Sequence, residues 1–411
     1  MAMTQISRRA ALAAAAVGTG GALAACAPRE RAAGPAASSS KRPSTATTGA
    51  TPSSTPAVRL IGDGSMSDTG PQPHQPPRPH ALRPGERPPQ FVVISWDGGG
   101  QTGARLNSYF QDVARRYHAS MTYFLSAIYF LPRARKDLYH PPRHRVGASD
   151  IGYFPDEYVH ATIEQTGKAW LAGHEIATHF NGHFCGPTGV SQWSPQDWKS
   201  EIDQVHRFVA QWRTNTGFTD LPALPFDYTT ELVGGRAPCL EGADNLRLAA
   251  AELGWRYDSS ATRTATWPTR TAGPWDLSMQ PIPLPGTRNG VIAMDYNLMA
   301  NQSGSPNGDP AMRATWKRQA VEAYAAGFLR AYDGNRAPLV IGNHFERWNG
   351  GIYMEAVEAA MAAMAQQPDT RFVSFRQLCD WLDVQSPAVL QRLQVLQGAP
   401  AGGWDEYLQL V

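Results

Sequence analysis

From Phe91 onward the chain alternates short apolar runs with stretches of helical periodicity. FVVISWD (91–97), MTYFLSA (121–127), GHEIATH (173–179) and PLVIGNH (338–344) read as strands. Continuous apolar strands separated by helices point to a mostly parallel sheet covered on both faces. After residue 194 the pattern changes period. Ser194 can cap a helix, Pro195 fits its first turn and Asp197 sits at its third position. Trp198, Ile202, Val205, Val209 and Trp212 then recur on one helical face. A second long helix is expected over about 351–365. No internal repeat is present. Alternating strands and helices of this kind build either an open doubly wound sheet or a (β/α) barrel. Both place their site at the strand C-termini. Asp97, His179 and His344 each close a strand.

The first quarter of the chain reads differently. Arg8 and Arg9 followed by the small apolar run Ala10–Ala25 form an export signal, similar to a twin-arginine signal. Leu23-Ala24-Ala25-Cys26 resembles a bacterial lipobox, which predicts a membrane tether through a lipidated Cys26. Residues 27–89 hold 13 of the 33 prolines and almost no large apolar side chains. Such a segment cannot offset its ordering entropy, so it is expected to be a disordered, semi-extended linker. Residues 1–90 carry ten Lys/Arg and four Asp/Glu, which leaves 27 and 31 for the remainder. The folded part is mildly acidic, which gives a nucleic-acid role no electrostatic footing.

His179 and His183, in THFNGHFCG, have the i, i+4 spacing that brings two imidazoles to one side if the segment turns helically. His140 and His144 share that spacing, but Pro141 and Pro142 make HPPRH a loop. Arg236, in GGRAPCLEG, is either a solvated turn residue or a guanidinium that orients Asp97 or a substrate oxygen. His344 ends its strand and is followed by Phe345 and Trp348, which could line a sugar site. His174 begins a strand and reads as structural. Trp96, Phe180, Phe184 and Trp193 are further candidates for stacking on sugar rings, several of them simply core. Cys379, in FRQLCDWL, reads as a buried thiol.

The order of these segments resembles the polysaccharide deacetylase family, the NodB-homology or carbohydrate esterase 4 fold, and its chitin-deacetylase-like members above all. The resemblance runs over about 90–385: strand-Asp, GHEIATHFNGH, RAPCLEGADNLRLAAAELGWRYDSS, then NRAPLVIGNHFERWNGG. It implies an α/β fold, an irregular (β/α)7 barrel, with residues 386–411 as a helical tail packed on it. It also implies a monomeric, metal-dependent hydrolase that removes acetyl groups from a chitin-like or peptidoglycan-like polysaccharide outside the cytoplasm. Asp97 then matches the general base, Arg236 the arginine that holds it, and His344 the general acid. Asp295, in AMDYN, matches the acid that tunes His344, with Asp276 as its rival. His179 and His183 match two metal ligands, with zinc expected and cobalt or manganese as alternatives. Tyr257-Asp258-Ser259 matches a structural strand and turn, and a backbone N–H near the RAP loop is expected to face the oxyanion.

One departure matters. The family's first motif carries a second aspartate as a metal ligand, and here that position is Gly98. Either Asp97 itself or Asp150 completes the metal site, or water does, or the chain binds no metal and is a glycan-binding envelope lipoprotein. If the two motif loops share a barrel mouth, Cys185 and Cys239 pair as a disulfide that pins them. The alternative is a thiolate ligand in place of the missing carboxylate.

Overall fold

The computed structural model describes residues 58–409. Its strands, in chain order, are β1 (Arg59–Ile61), β2 (Met66–Asp68), β3 (Gln90–Gly98), β4 (Thr122–Leu125), β5 (Glu175–Thr178), β6 (Gly234–Gly235), β7 (Tyr257–Asp258), β8 (Trp275–Asp276), β9 (Pro281–Ile282), β10 (Val291–Ile292), β11 (Leu339–His344) and β12 (Thr370–Phe372). Seven of them form one parallel path in the order β11-β3-β4-β5-β6-β7-β8, and β12 pairs with the start of β3. The sheet curls into an open, irregular α/β barrel covered by helices. The ladder does not continue from β8 to β11. Gln280 bridges that seam: its Oε1 accepts from the Val340 N–H at 2.9 Å, and its carbonyl accepts from the Ala293 N–H at 3.0 Å.

Strand periodicity decides what faces inward. On β3, Val92, Ile94 and Trp96 pack into the layer under the helices, while Phe91 and Val93 pack inside the barrel with Phe124, Ala177 and Tyr257. Continuing that alternation puts Ser95 and Asp97 on the inner face. On β11, Val340 faces inward and Ile341 outward, so His344 also falls inside. Register then aligns them, because His344 and Asp97 are direct partners on neighbouring strands.

The helix Pro195–Ala210 starts with the expected capping box between Ser194 and Asp197, and the second expected helix spans Ile352–Met364. Helices Pro387–Val395 and Trp404–Tyr407 follow at the C-terminal end, with Val389, Leu393 and Leu408 buried. No helix among the described residues is long and apolar enough to cross a membrane.

The expected linker boundary at residue 89 needs correction. The compact body begins at Val58. Met66 is buried, the Trp212 Nε1–H donates to the Ser65 carbonyl at 2.7 Å, and Gln72 Nε2 donates to the His174 carbonyl at 2.6 Å. Farther along, the Leu82 N–H donates to Gln385 Oε1 at 2.9 Å. This segment docks through backbone groups and polar side chains, which a count of apolar residues does not register. The export signal, Cys26 and residues 27–57 of the expected linker lie outside the described residues.

Candidate active site

Asp97 and Arg236 form a buried ion pair, with Nη1 donating to Oδ1 at 2.7 Å. The guanidinium has further partners. Nη1 also donates to Ser95 Oγ at 2.9 Å and Nη2 to Ser259 Oγ at 2.9 Å, and the Phe124 ring lies 4.5 Å from the guanidinium carbon. Gly342 makes room for this fork, since a Cβ there would sit 3.2 Å from Nη1. Burial alone would push the Asp97 carboxyl up. The Arg236 charge, with protonated His344 behind it, outweighs it and holds Asp97 below the usual carboxylate range.

His344 is held the opposite way. Its Nδ1 lies 2.8 Å from Asp295 Oδ1, and its backbone N–H donates to Asp295 Oδ2 at 2.7 Å. Burial disfavours the charged imidazole, but the Asp295 carboxylate, with Asp97 and Glu346 behind it, raises the pKa to about 9. Asp276 takes no part in this pair. It binds Arg247, Arg263 and the Ser278 hydroxyl instead.

His179 and His183 do come together, with ring centroids 4.9 Å apart, but not on a helical turn. Phe180 and His183 have φ of 63° and 57°, so the segment is a left-handed loop. Thr178 Oγ1 accepts from the Phe180 N–H at 2.8 Å, which supports that path. His179 Nδ1 lies 2.7 Å from the Arg236 carbonyl, which assigns the proton to Nδ1 and leaves Nε2 as a lone-pair donor. Burial lowers the pKa of His179, and it lowers that of His183 to about 3, so both rings are neutral. Two residues that sequence reading passed over secure the loop from beneath. Glu201 Oε1 accepts from the Asn181 N–H at 3.1 Å, and the Tyr139 hydroxyl accepts from the Gly182 N–H at 2.9 Å while donating to Glu201 at 2.8 Å. Cys185 and Cys239 form a disulfide joining this loop to the Arg236 loop. That removes the thiolate alternative.

The two neutral imidazoles fit a divalent ion as far as they go. Among the described residues, the one set of three His, Cys, Asp or Glu ligand atoms within 4.8 Å of one another is His183, Cys185 and Cys239, and its sulfurs are bonded to each other. No carboxylate joins His179 and His183 at that range. Asp150 is exposed, and its backbone N–H donates to the Gly182 carbonyl at 2.8 Å. Asp97 is committed to Arg236. Gly98 has φ of 89°, and a Cβ there would lie 3.5 Å from the Tyr129 ring.

Other expectations meet the structure unevenly. Ser259 is more than a turn residue, because its carbonyl and hydroxyl both accept from Arg236. The Ala237 N–H donates to Ser260 Oγ and the Arg236 N–H to the Thr178 carbonyl, so neither faces an oxyanion. Trp96, Phe180, Phe184 and Trp193 are core residues, each at most 4% exposed. Trp348 does stand by the mouth, its ring 5.3 Å from His344 and 5.9 Å from Tyr296, a neighbour that sequence reading missed. His174 is structural and accepts from the Met121 N–H at 3.1 Å. Cys379 is a free, buried thiol.

No family model and no curated protein matches the chain. Solved structures do. One, described as a polysaccharide deacetylase from Mycobacterium smegmatis, is similar at 15% identity over 75% of this chain and 96% of its own, with a TM-score of 0.41. A mutant of the peptidoglycan deacetylase PdaC from Bacillus subtilis is similar at 11% identity over 72% and 92%, TM-score 0.37. A CE4 family pseudoenzyme from Bacillus anthracis is similar at 8% identity over 71% and 66%, TM-score 0.38. Likenesses at these identities name no residue, so what this site can do follows from its own side chains.

Proposed function

We propose that this chain is a metal-dependent hydrolase that removes acetyl groups from an N-acetylated cell-envelope or extracellular polysaccharide. One observation carries the reading. Asp97 and His344 are register partners, and their surroundings push them to opposite protonation states. A carboxylate kept ionised beside an imidazole kept protonated is an acid–base pair set for neutral pH.

Amide hydrolysis asks for that pair. Water must lose a proton to become a nucleophile, and the departing amine must gain one. Asp97 is the base. Arg236 keeps it ionised and fixes the carboxylate through Oδ1. His344 is the acid. Asp295 holds its Nδ1–H, so the proton to be given away is on Nε2. His179 and His183 would hold the divalent ion, zinc by preference, with cobalt or manganese as alternatives. Such an ion supplies Lewis acidity toward the acetyl carbonyl and toward water. Two protein ligands are fewer than the usual three, which predicts weaker metal retention. Trp348 and Tyr296 offer a sugar ring an apolar face beside the acid. The export signal and lipobox favour anchoring through Cys26 on the extracytoplasmic face of a membrane.

The second reading is a non-catalytic glycan-binding lipoprotein, favoured by Gly98 and by the absence of a third carboxylate or thiolate ligand among the described residues. Acetate release from chito-oligosaccharide and peptidoglycan fragments, with added zinc, cobalt or manganese, separates the two. The enzyme reading expects release that Asp97→Asn lowers about a hundredfold or more. Glycan retention with no acetate under any ion would leave only the second.

A further inference from the structure

A cavity of about 450 Å³ opens beside the His183 loop, within the size range of small-molecule sites. Residues of the 133–153 segment build most of it, and Phe184, next to His183 in the chain, completes the lining. Its lining is cationic in a folded part that is otherwise mildly acidic: Arg133, Lys136 and Arg145 against the single carboxylate of Asp150. None of the three cations pairs with a described carboxylate. Arg133 Nη2 donates to the Tyr153 carbonyl at 3.3 Å, and Lys136 and Arg145 have no side-chain partner among the described residues. His144 also lines the cavity, and its Nε2 is buried without a hydrogen-bond partner. Elsewhere about half of the described arginines are matched to acids, as Arg143 is to Asp197 at 2.8 Å.

The pocket is fixed to the site. The His144 ring stacks on Phe184 at 3.8 Å, and Phe184 follows His183 in the chain. Gln204 ties down the backbone before it, accepting from the His140 N–H at 2.7 Å and donating to the His140 carbonyl at 2.8 Å. These contacts fix His144 and the backbone before it, while Arg133, Lys136 and Arg145 remain exposed to a counter-charge.

We propose that this cavity is a subsite for a carboxylate on the sugar next to the one being deacetylated, so that the preferred substrate is an acidic, N-acetylated glycan. The inference rests on the deacetylase reading for its orientation, not for the binding itself. Guanidinium, ammonium and imidazole donors in one lining match a carboxylate. Asp150 in the same lining disfavours a doubly charged phosphate group.

Calorimetric titration of the full-length protein tests this with three tetrasaccharides: neutral N-acetylchitotetraose, a hyaluronan fragment bearing uronate, and a peptide-free peptidoglycan fragment bearing the lactyl carboxylate. At least one acidic ligand should bind about tenfold tighter than the neutral one at low salt, a preference that shrinks as salt screens it. Which one wins identifies the source of the carboxylate. Lys136→Ala/Arg145→Ala should abolish the preference and leave the neutral affinity unchanged. Equal binding of all three, binding of none, or a preference that survives the double substitution would overturn the subsite. Acetate release with no acidic preference removes the subsite and leaves the hydrolase. An acidic preference lost in the double variant, with no acetate from any ligand, does the reverse.

Discussion

On the β3–β11 side of the mouth each functional group is clamped by charge, whereas on the His179–His183 side the groups are placed by a loop that is itself propped from below. Arg236 binds Asp97, Ser95 and Ser259 at once, and Asp295 grips both the ring and the backbone of His344. Among the described residues His183 has no such partner. Its ring touches His179 and the sulfur of Cys185, and its position depends on Glu201, Tyr139 and the disulfide. On the proposed reading, the acid–base half is complete and the metal half is thin. A proton-transfer pair needs its pKa values set in advance by fixed charges, while an ion can draw its ligands together when it binds.

The largest effect should come from breaking the clamp. Arg236→Met leaves the Asp97 carboxylate buried without its counter-charge, which costs about 3–5 kcal/mol of folding stability. Urea unfolding measures this. Asp97→Asn in the same chain should recover part of the loss, because the uncompensated charge is gone. A loss below about 1 kcal/mol for Arg236→Met would mean that the pair is not desolvated, and the contrast between the halves would lose its basis.

The second effect is the pH response of His344. Its pKa is raised from 6.5 to about 9. Its contribution to stability is therefore full below pH 6.5 and is lost as pH rises through about 9, an effect of about 3 kcal/mol. Acetate release should fall over the same upper limb, since the acid must be protonated. Asp295→Asn removes the leading stabilising charge and leaves burial to dominate, so the limb should move below about pH 6.5. An upper limb that stays near pH 9 in that variant would assign the proton donor to another group.

The strand-end half was legible in the sequence because buried strands leave uninterrupted apolar runs, and Asp97, His179 and His344 sit visibly at their ends. Arg236 was legible from its loop and its place in the segment order. What sequence could not give were the partners that make these residues work. Ser95 and Ser259 look like any serines until the inner-face alternation of β3 and the turn after β7 bring them to one guanidinium. The i, i+4 spacing of His179 and His183 suggested a helical turn, but two left-handed residues close the same distance by another route. Glu201 and Tyr139 are separated by 62 positions, and only packing reveals that they carry the loop. The 58–89 segment reads as a linker because it docks largely by hydrogen bonds, with Met66, Ile61, Leu82 and two prolines as scattered apolar contacts rather than one periodic face.

The smallest expected effect bears on the question that Gly98 raises. If the metal half is thin only because a carboxylate was lost, Gly98→Asp should restore it. The backbone argues otherwise. Gly98 has φ of 89°, where an aspartate is strained by about 1–2 kcal/mol. A Cβ there would lie against the Tyr129 ring, which is itself stacked on Phe154 at 3.9 Å. Gly98→Asp should therefore lower stability modestly and leave zinc affinity within about threefold of the parent, a change worth under about 1 kcal/mol. Thermal unfolding and competition with a chromogenic chelator read the two quantities separately. Zinc bound tenfold tighter, at no cost in stability, would mean that the β3 turn still accommodates a ligand. The two halves would then differ by one side chain rather than by the path of the backbone.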